Sequence, residues 1–564
     1  MTTTENGLAL LKGPPLEEEP GLGPLTLGGF LLEVTERYAE REALVFHEGG
    51  RTVRWTYRDL KDRAFEVARA LIGCGVSKGT RVGVMMTNRP EFLSSVFGAA
   101  LSGCVATPVS TFSTASELDY LLKLSGVSVL LYESPVLDTD FTGVLRQADP
   151  AFSSAAPGGI ATEAYPFLRH AVVVGDGAGG AIEDFGAFLK RGDRVAESLV
   201  EAANAATTPS DPGVLFFSSG STSKPKGVLS AHRGVTLQLW RWKRLFAIEQ
   251  VARIWSANGF FWSGNFAMAL GGALSSGGAL ILQKTFEPVE ALELMEDEKA
   301  TMALAWPHQW AKLEAAPNYG GADLSALHYV DERTPLAAHP TVNTTWRQPS
   351  AAFGNTETFT INTVFPSGTP EEEIAGSSGR PLPGNTIKII DPFTAETLSV
   401  GERGEIAVKG ATLMLGYLGT PLDETLDAEG FLRTGDGGYI DAEGRLYWEG
   451  RLNDIIKTGG ANVSPLEVDA LVSEIAGVKV CQTVGVPHDT LGEIVVTCIV
   501  PHDGARLDEA SIREAARKEL AAYKVPRRVL FFSEDELELT GSAKIKTGDL
   551  RSLAARRIGE AFGA

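Results

Sequence analysis

At 564 residues the chain exceeds one ordinary hydrophobic core, so two or more domains are expected. An apolar content of 44% and a charged content of 22% are those of a globular protein. The net charge of -20 excludes a nucleic-acid-coating surface and disfavours anionic membranes, so any polyphosphate site must be locally basic within an acidic chain. The four cysteines, Cys74, Cys104, Cys481 and Cys498, lie far apart with no Cys-x-x-Cys, which fits a reducing compartment and no zinc site. The N-terminus carries Glu17-Glu18-Glu19 in place of a basic-then-apolar leader, and no apolar run is long enough to span a bilayer, so a cytoplasmic location is expected.

In chain order, residues 1–24 are rich in Pro, Gly and Glu and read as a flexible arm. From Arg81 the pattern predicts a strand to Met86, a helix from Pro90 to Leu101 and a strand from Val105 to Val109. Thr114 and Glu117 form a capping box that opens a helix to Leu124, and a strand follows from Val127 to Tyr132. Such alternation implies a parallel sheet covered by helices. Residues 137–165 read as an irregular excursion. After residue 228 the alternation resumes, with helices over 264–275 and 288–299 and strands over 279–282, 301–305, 327–330 and 351–353. From Pro381 to Trp448 short strands and Gly-rich turns predict a β-rich subdomain. Beyond Arg451 a smaller α+β unit is expected, with helices over 465–475 and 508–522 around strands 478–486 and 494–500. The fold class is α/β, with a large N-terminal domain over 25–451 and a small, mobile C-terminal domain over 452–564.

The stretch that organises this pattern is the apolar run Val214-Leu215-Phe216-Phe217, which empties into Ser218-Ser219-Gly220-Ser221-Thr222-Ser223-Lys224-Pro225-Lys226-Gly227. A loop of small hydroxyls and glycines can turn backbone N–H groups inward while lysines supply positive charge, as a polyphosphate requires. It lacks the spacing of a Walker A loop. Further on, Thr434-Gly435-Asp436 and Arg445–Arg451 flank a turn at 441–444, a hairpin whose ends bring Asp436 beside Arg451. A carboxylate suits a ribose diol, and a guanidinium beside it can hold sugar or phosphate.

The 218–227 loop resembles the phosphate loop of the adenylate-forming superfamily, which includes AMP-forming acyl-CoA synthetases. Phe353-Gly354-Asn355-Thr356-Glu357 resembles that family's aromatic-Gly-x-Thr-Glu motif, and residues 434–436 with Arg451 its Thr-Gly-Asp and following Arg. The motifs stand in the family's order over about residues 35–550. The resemblance implies an ATP site of Ser218, Ser219, Gly220, Ser221, Thr222, Lys226, Phe353, Asn355, Thr356, Asp436, Arg451 and Lys544, with the aromatic ring stacked on adenine. It implies magnesium held by Glu357 and Thr222, and a catalytic set of Lys544, Thr222 and Glu357. Lys544 lies in Leu539-Thr540-Gly541-Ser542-Ala543-Lys544, where Ala543 stands for the usual Gly. Lys457, Gly459 and Gly460 are implied in CoA binding, and Asn453 replaces the family's Asp or Lys as the hinge of a rotating C-terminal domain.

The implied acid pocket is Phe261, Trp262, Phe266 and Trp306, which suggests an apolar or aromatic acid. Asp331-Glu332-Arg333-Thr334 replaces the family's usual small Gly-Gly-Ala stretch beside the adenine and could retune the substrate floor or contact a polar group. The expected reaction joins a carboxylic acid to ATP as an acyl-adenylate and passes the acyl group to CoA, with ATP, magnesium and CoA as the small molecules required. A carboxylic acid is already ionised at neutral pH, so the first step needs positioning and charge relief, not a general base. The alternatives are transfer to an amine without CoA, giving an amide, and a non-catalytic nucleotide-binding regulator.

Overall fold

The computed structural model describes residues 7–218, 225–349, 351–452, 454, 456–458, 461–488, 491–520, 523–533, 536 and 547–562. Contacts divide the chain into two compact units. The first gathers Lys12–Thr386 and Val408–Leu432, and the second gathers Thr3–Leu11, Ile387–Ala407 and Arg433–Ala564. The expected boundary after Arg451 therefore falls inside the second unit, because the β-rich segment 387–407 and 433–451 packs as one sheet with itself.

The first unit is layered. An eight-stranded sheet runs in the order Gly416–Tyr417, Lys226–Ala231, Pro212–Ser218, Val105–Pro108, Arg81–Met85, Val129–Ser134, His170–Gly175, Ile182–Asp184. Its strands are parallel from Pro212–Ser218 onward, and Lys226–Ala231 is antiparallel. A five-stranded sheet holds Met302–Leu304, Arg253–Ser256, Ala279–Leu282, Glu42–Glu48 and Arg51–Thr56. Helix Pro90–Leu101 is buried at every position but Glu91, and the largest core cluster joins side chains of both sheets. That is why its sequence is apolar or small at every position except Glu91, with Pro90 at the first turn where no N–H is needed. The Thr114–Glu117 capping box forms with both of its bonds.

Three expectations are corrected. The 1–24 segment is, from Leu8 on, built into the fold. Leu10–Lys12 is a sheet strand, and the Glu19 carboxylate lies buried on Arg241 at 2.7 Å and Arg244 at 2.8 Å. A Pro/Glu-rich composition could not announce that one glutamate meets a buried arginine far along the chain. The 137–165 excursion contains helices Phe141–Ala148 and Ala151–Ser154, which tuck Phe141, Leu145 and Phe152 into a core cluster. Residues 327–330 make only a single bridge, Met302 to Tyr329, because the sheet already ends at Met302–Leu304.

The second unit holds most of a five-stranded sheet, Leu10–Lys12, Asn385–Ile390, Gly404–Gly410, Leu432–Ile440 and Leu446–Arg451. A second sheet carries Ala461–Val463, Ile456–Thr458, Gly492–Pro501, Val478–His488 and Arg528–Phe531, with helices Pro465–Ser473, Glu509–Glu519 and Thr547–Phe562. Among the described residues no helix is long and apolar enough to cross a membrane.

Candidate active site

In the first unit the site begins at the carboxyl end of Pro212–Ser218, where parallel sheets commonly bind ligands. Ser218 pairs directly with Lys226, closing the phosphate-loop hairpin. Ser219, Gly220, Ser221 and Thr222 lie outside the described residues. Lys226 Nζ stands 4.8 Å above the Tyr417 ring, and the Tyr417 hydroxyl donates to Glu357 Oε1 at 2.7 Å. The carboxylate expected to hold magnesium and the lysine expected at ATP are thus bridged by one tyrosine. Tyr417 sits there because Gly416–Tyr417 pairs with Lys226–Ala231, Val228 facing Tyr417. The Glu357 backbone is tied to the same segment, since Met414 N donates to Glu357 O at 2.7 Å.

The turn carrying Glu357 is tightly wound. The Asn355 side chain accepts from Thr358 N at 3.0 Å and caps the short helix Thr356–Thr358. Gly354 is required, because a Cβ there would stand 2.1 Å from Thr360 O. Phe359 at φ 46° and Thr360 at φ 84° occupy left-handed backbone that costs about 1–3 kcal/mol per residue, which only dense surroundings sustain. Those surroundings are rings: Phe359 meets Phe216 at 5.7 Å and Phe266 at 6.3 Å, both edge-on. Phe266, expected in the acid pocket, is instead fully buried in this cluster, packed 5.6 Å from Phe216. The local reason is a single π-helical turn over Phe266–Leu270 that aims the ring into the core. Phe353 is 5% exposed, leaving little of its ring for a purine face, while Gly354 beside it is open.

Phe261 and Trp262 form a ring pair at 5.5 Å, extended by the half-exposed Phe112 edge-on to Phe261 at 5.6 Å. Trp306 is 51% exposed at the start of helix Pro307–Glu314. The Asp331 carboxylate is fully engaged by protein donors. The Asp331 carboxylate accepts from Arg333 N, Nε and Nη2 at 3.0, 2.9 and 2.7 Å and from Gln348 N at 2.8 Å. These bonds outweigh burial and hold its pKa below the usual carboxylate value.

In the second unit Asp436 lies directly opposite Arg451. A register shift between Gly437 and Gly438 sets this, since the ladder Gly438↔Trp448 would otherwise bring Gly450 opposite Asp436. Arg451 Nε meets Asp436 Oδ1 at 3.1 Å, Trp448 Nε1 donates to the same oxygen at 3.3 Å, and Arg451 Nη1 donates to Thr434 O at 2.8 Å. Asp436 is 3% exposed and Trp448 41%. Lys457 is exposed, and its backbone N–H donates to Glu493 Oε2 at 2.8 Å. Asn453, Gly459, Gly460 and Lys544 lie outside the described residues, although Thr458 and Ala461, which flank the glycine pair, are partners in a hairpin.

Reading the chain alone missed Tyr417, Phe112 and Trp448. The first two carry no local signal, because their partners are distant in sequence. Trp448 could have been found from the hairpin register that placed Arg451.

The family model for AMP-binding enzymes matches residues 31–418, and that for the AMP-binding enzyme C-terminal domain matches residues 467–544. The feruloyl-CoA synthase of an Amycolatopsis species is 30% identical over 517 residues, covering 89% of this chain and 94% of that one. The putative acyl-CoA synthetase YngI of Bacillus subtilis is 27% identical over 534 residues, covering 93% and 96%. The fold matches that of the anthranilate CoA ligase AuaEII in complex with anthranoyl-AMP, at a TM-score of 0.77, 24% identity and coverage of 97% and 99%. It also matches ATP-bound MatB from Rhodopseudomonas palustris, at a TM-score of 0.74, 23% identity and coverage of 94% and 99%. With a bridged lysine–glutamate pair behind the phosphate hairpin and the family models spanning both units, the chain belongs to the AMP-binding enzymes of the adenylate-forming superfamily.

Proposed function

We propose that this protein is an AMP-forming acid–CoA ligase acting on an apolar or aromatic carboxylic acid. The observation that carries the reading is the Lys226–Tyr417–Glu357 constellation at the closed end of the phosphate hairpin. In the first step a carboxylate oxygen of the acid attacks the α-phosphorus of ATP. The bond from that phosphorus to the bridging oxygen breaks, and pyrophosphate leaves. In the second step the CoA thiol attacks the acyl carbon and loses its proton, and AMP departs with the electrons of the acyl–oxygen bond.

Lys226, with Thr222 and the backbone of the 218–227 loop, neutralises the pyrophosphate side. Lys544 spans the substrate carboxylate and the α-phosphate. Asp436 and Arg451 hold the ribose, and the Phe353–Thr356 segment lines the adenine and phosphate side. Among the described residues no cluster of three acidic, His or Cys groups could cage a metal alone. A single hard carboxylate, Glu357, fits magnesium, which keeps waters and shares phosphate oxygens, and the resemblance adds Thr222 as a second ligand. Bound there, magnesium would supply charge relief on the triphosphate. Turning about Asn453 would then exchange the Lys544 face for the face bearing Lys457, Gly459 and Gly460, where CoA enters.

The acid class rests on the ring set Phe112, Phe261, Trp262 and the exposed Trp306. A relative named for feruloyl-CoA points the same way. Pyrophosphate release should be followed across a panel of acids with ATP and magnesium, with and without CoA. Acyl-CoA that forms only with CoA supports the proposal. An amide formed with an added amine, and no thioester, would replace it.

A further inference from the structure

The segment 257–262, which carries Phe261 and Trp262, lies between strand Arg253–Ser256 and the short helix Ser263–Asn265. Side-chain amides fix its shape. Asn258 O accepts from Asn88 Nδ2 at 2.8 Å and from Asn265 Nδ2 at 2.5 Å. Phe260 N donates to Asn88 Oδ1 at 3.0 Å, so Asn88 grips the segment with both ends of its amide. On the other side Gln309 Nε2 donates to Asn258 Oδ1 at 3.3 Å, while Gln309 Oε1 accepts from Trp306 N at 2.8 Å. One chain of amides, Asn88 to Asn258 to Gln309, therefore runs from the carboxyl end of Arg81–Met85 through the Phe261–Trp262 segment to the backbone of Trp306.

The chain is anchored, and its two end residues are buried. Asn88 is 4% exposed and Gln309 7%. Asn88 is held from both neighbours by the buried Glu133 carboxylate. That group accepts from Thr87 N at 3.0 Å, Thr87 Oγ1 at 2.6 Å, Arg89 Nη1 at 2.8 Å and Lys284 Nζ at 2.8 Å. A neutral amide donates and accepts at once, so it can tie two backbone groups at a fixed spacing without a buried charge. Leaving either group unpaired in such a place is costly, which makes the spacing stiff.

We propose that Asn88 and Gln309 are positioning residues that set the gap between the Phe261–Trp262 pair and Trp306, and so decide which acids fit. The inference rests on the acid–CoA ligase reading and concerns the same pocket.

The test uses the full-length enzyme and three variants, Asn88→Ala, Gln309→Met and Gln309→Glu. The last keeps an acceptor for the Trp306 N–H. Pyrophosphate release is measured for acids of graded width, alongside hydrogen exchange at the Phe260 and Trp306 amides. Asn88→Ala and Gln309→Met should each raise the KM for the best acid about tenfold, leave the KM for ATP within about twofold, and flatten the ranking of acids. Gln309→Glu should recover part of the ranking, and Asn88→Ala should expose the Phe260 amide to exchange. The proposal is overturned if the ranking and acid KM hold while those amides lose protection, or if both KM values rise together. Should Asn88→Ala fail to fold, Gln309→Met decides from the opposite side of the segment. A wild-type enzyme that releases no pyrophosphate with any acid removes the ligase reading and this inference with it, whereas an active enzyme with unmoved variants removes the inference alone.

Discussion

The two compact units assemble their candidate nucleotide contacts by different means. In the second, Asp436 and Arg451 belong to one hairpin, and a one-residue bulge brings them opposite each other. In the first, Lys226, Glu357 and Tyr417 come from three separate segments, and they meet because Gly416–Tyr417 pairs with the phosphate hairpin. A local pair depends on its own turn, whereas an assembled one depends on the packing behind it. The Phe216–Phe266–Phe359 rings behind Glu357 are part of that packing. Damage to the core of the first unit should therefore reach its site, while the hairpin in the second should keep its geometry.

The largest expected effect tests how the core of the first unit holds the N-terminal segment. Glu19→Ala leaves Arg241, which is 1% exposed, without its carboxylate, and should cost about 3–5 kcal/mol in denaturant unfolding. Replacing both partners, Glu19→Leu with Arg241→Met, should cost far less. Equal losses in the two cases would show that the ion pair is not what holds the N-terminal segment down.

Next in size is the assembled site itself. Glu357→Gln should lower acid-dependent pyrophosphate release by about 10²–10³-fold with the fold unchanged, the usual penalty for deleting one preorganised electrostatic contact. A loss below about threefold would break the contrast between the units, because the assembled carboxylate would then be incidental.

The units should also differ in their response to pH. His232, fully buried in the first, accepts the Leu27 N–H at Nδ1 and is held down to about 4 by burial. Its lowered pKa means that the stability it permits is present above 6.5 and is lost as pH falls toward 4, by about 3 kcal/mol. Asp469, in the second, is pushed up to about 6 by burial, with Oδ1 lacking a hydrogen-bond partner among the described residues. Its raised pKa works the other way: stability is greatest below 3.8 and is lost as pH rises to about 6, by about 3 kcal/mol. Hydrogen exchange at pH 4.5 and 7.5, resolved by unit, should show opposite slopes. Asp469→Asn should flatten only that of the second unit, and His232→Leu only that of the first.

The smallest effect sharpens the picture. Tyr417→Phe keeps the ring under Lys226 but removes the hydrogen bond to Glu357, and should reduce pyrophosphate release about tenfold, near the value of one buried hydrogen bond to a charged group.

Much was legible along the chain. The Pro90–Leu101 helix, the Thr114–Glu117 box and the meeting of Asp436 with Arg451 all follow from residues close in sequence, through periodicity, capping and turn chemistry. The order of motifs was enough to assign the superfamily, because each motif is a short run whose chemistry is carried by its own residues. Hidden from such reasoning were the burial of Glu19, the inward turn of Phe266, the tie of Asp331 to Gln348 N and the arrival of Tyr417 between Lys226 and Glu357. Each depends on a partner distant along the chain, or on a bulge or π-turn that shifts a side chain from one face to the other. Composition and spacing describe neighbours in sequence, whereas burial and register are settled when remote segments compete for the same volume.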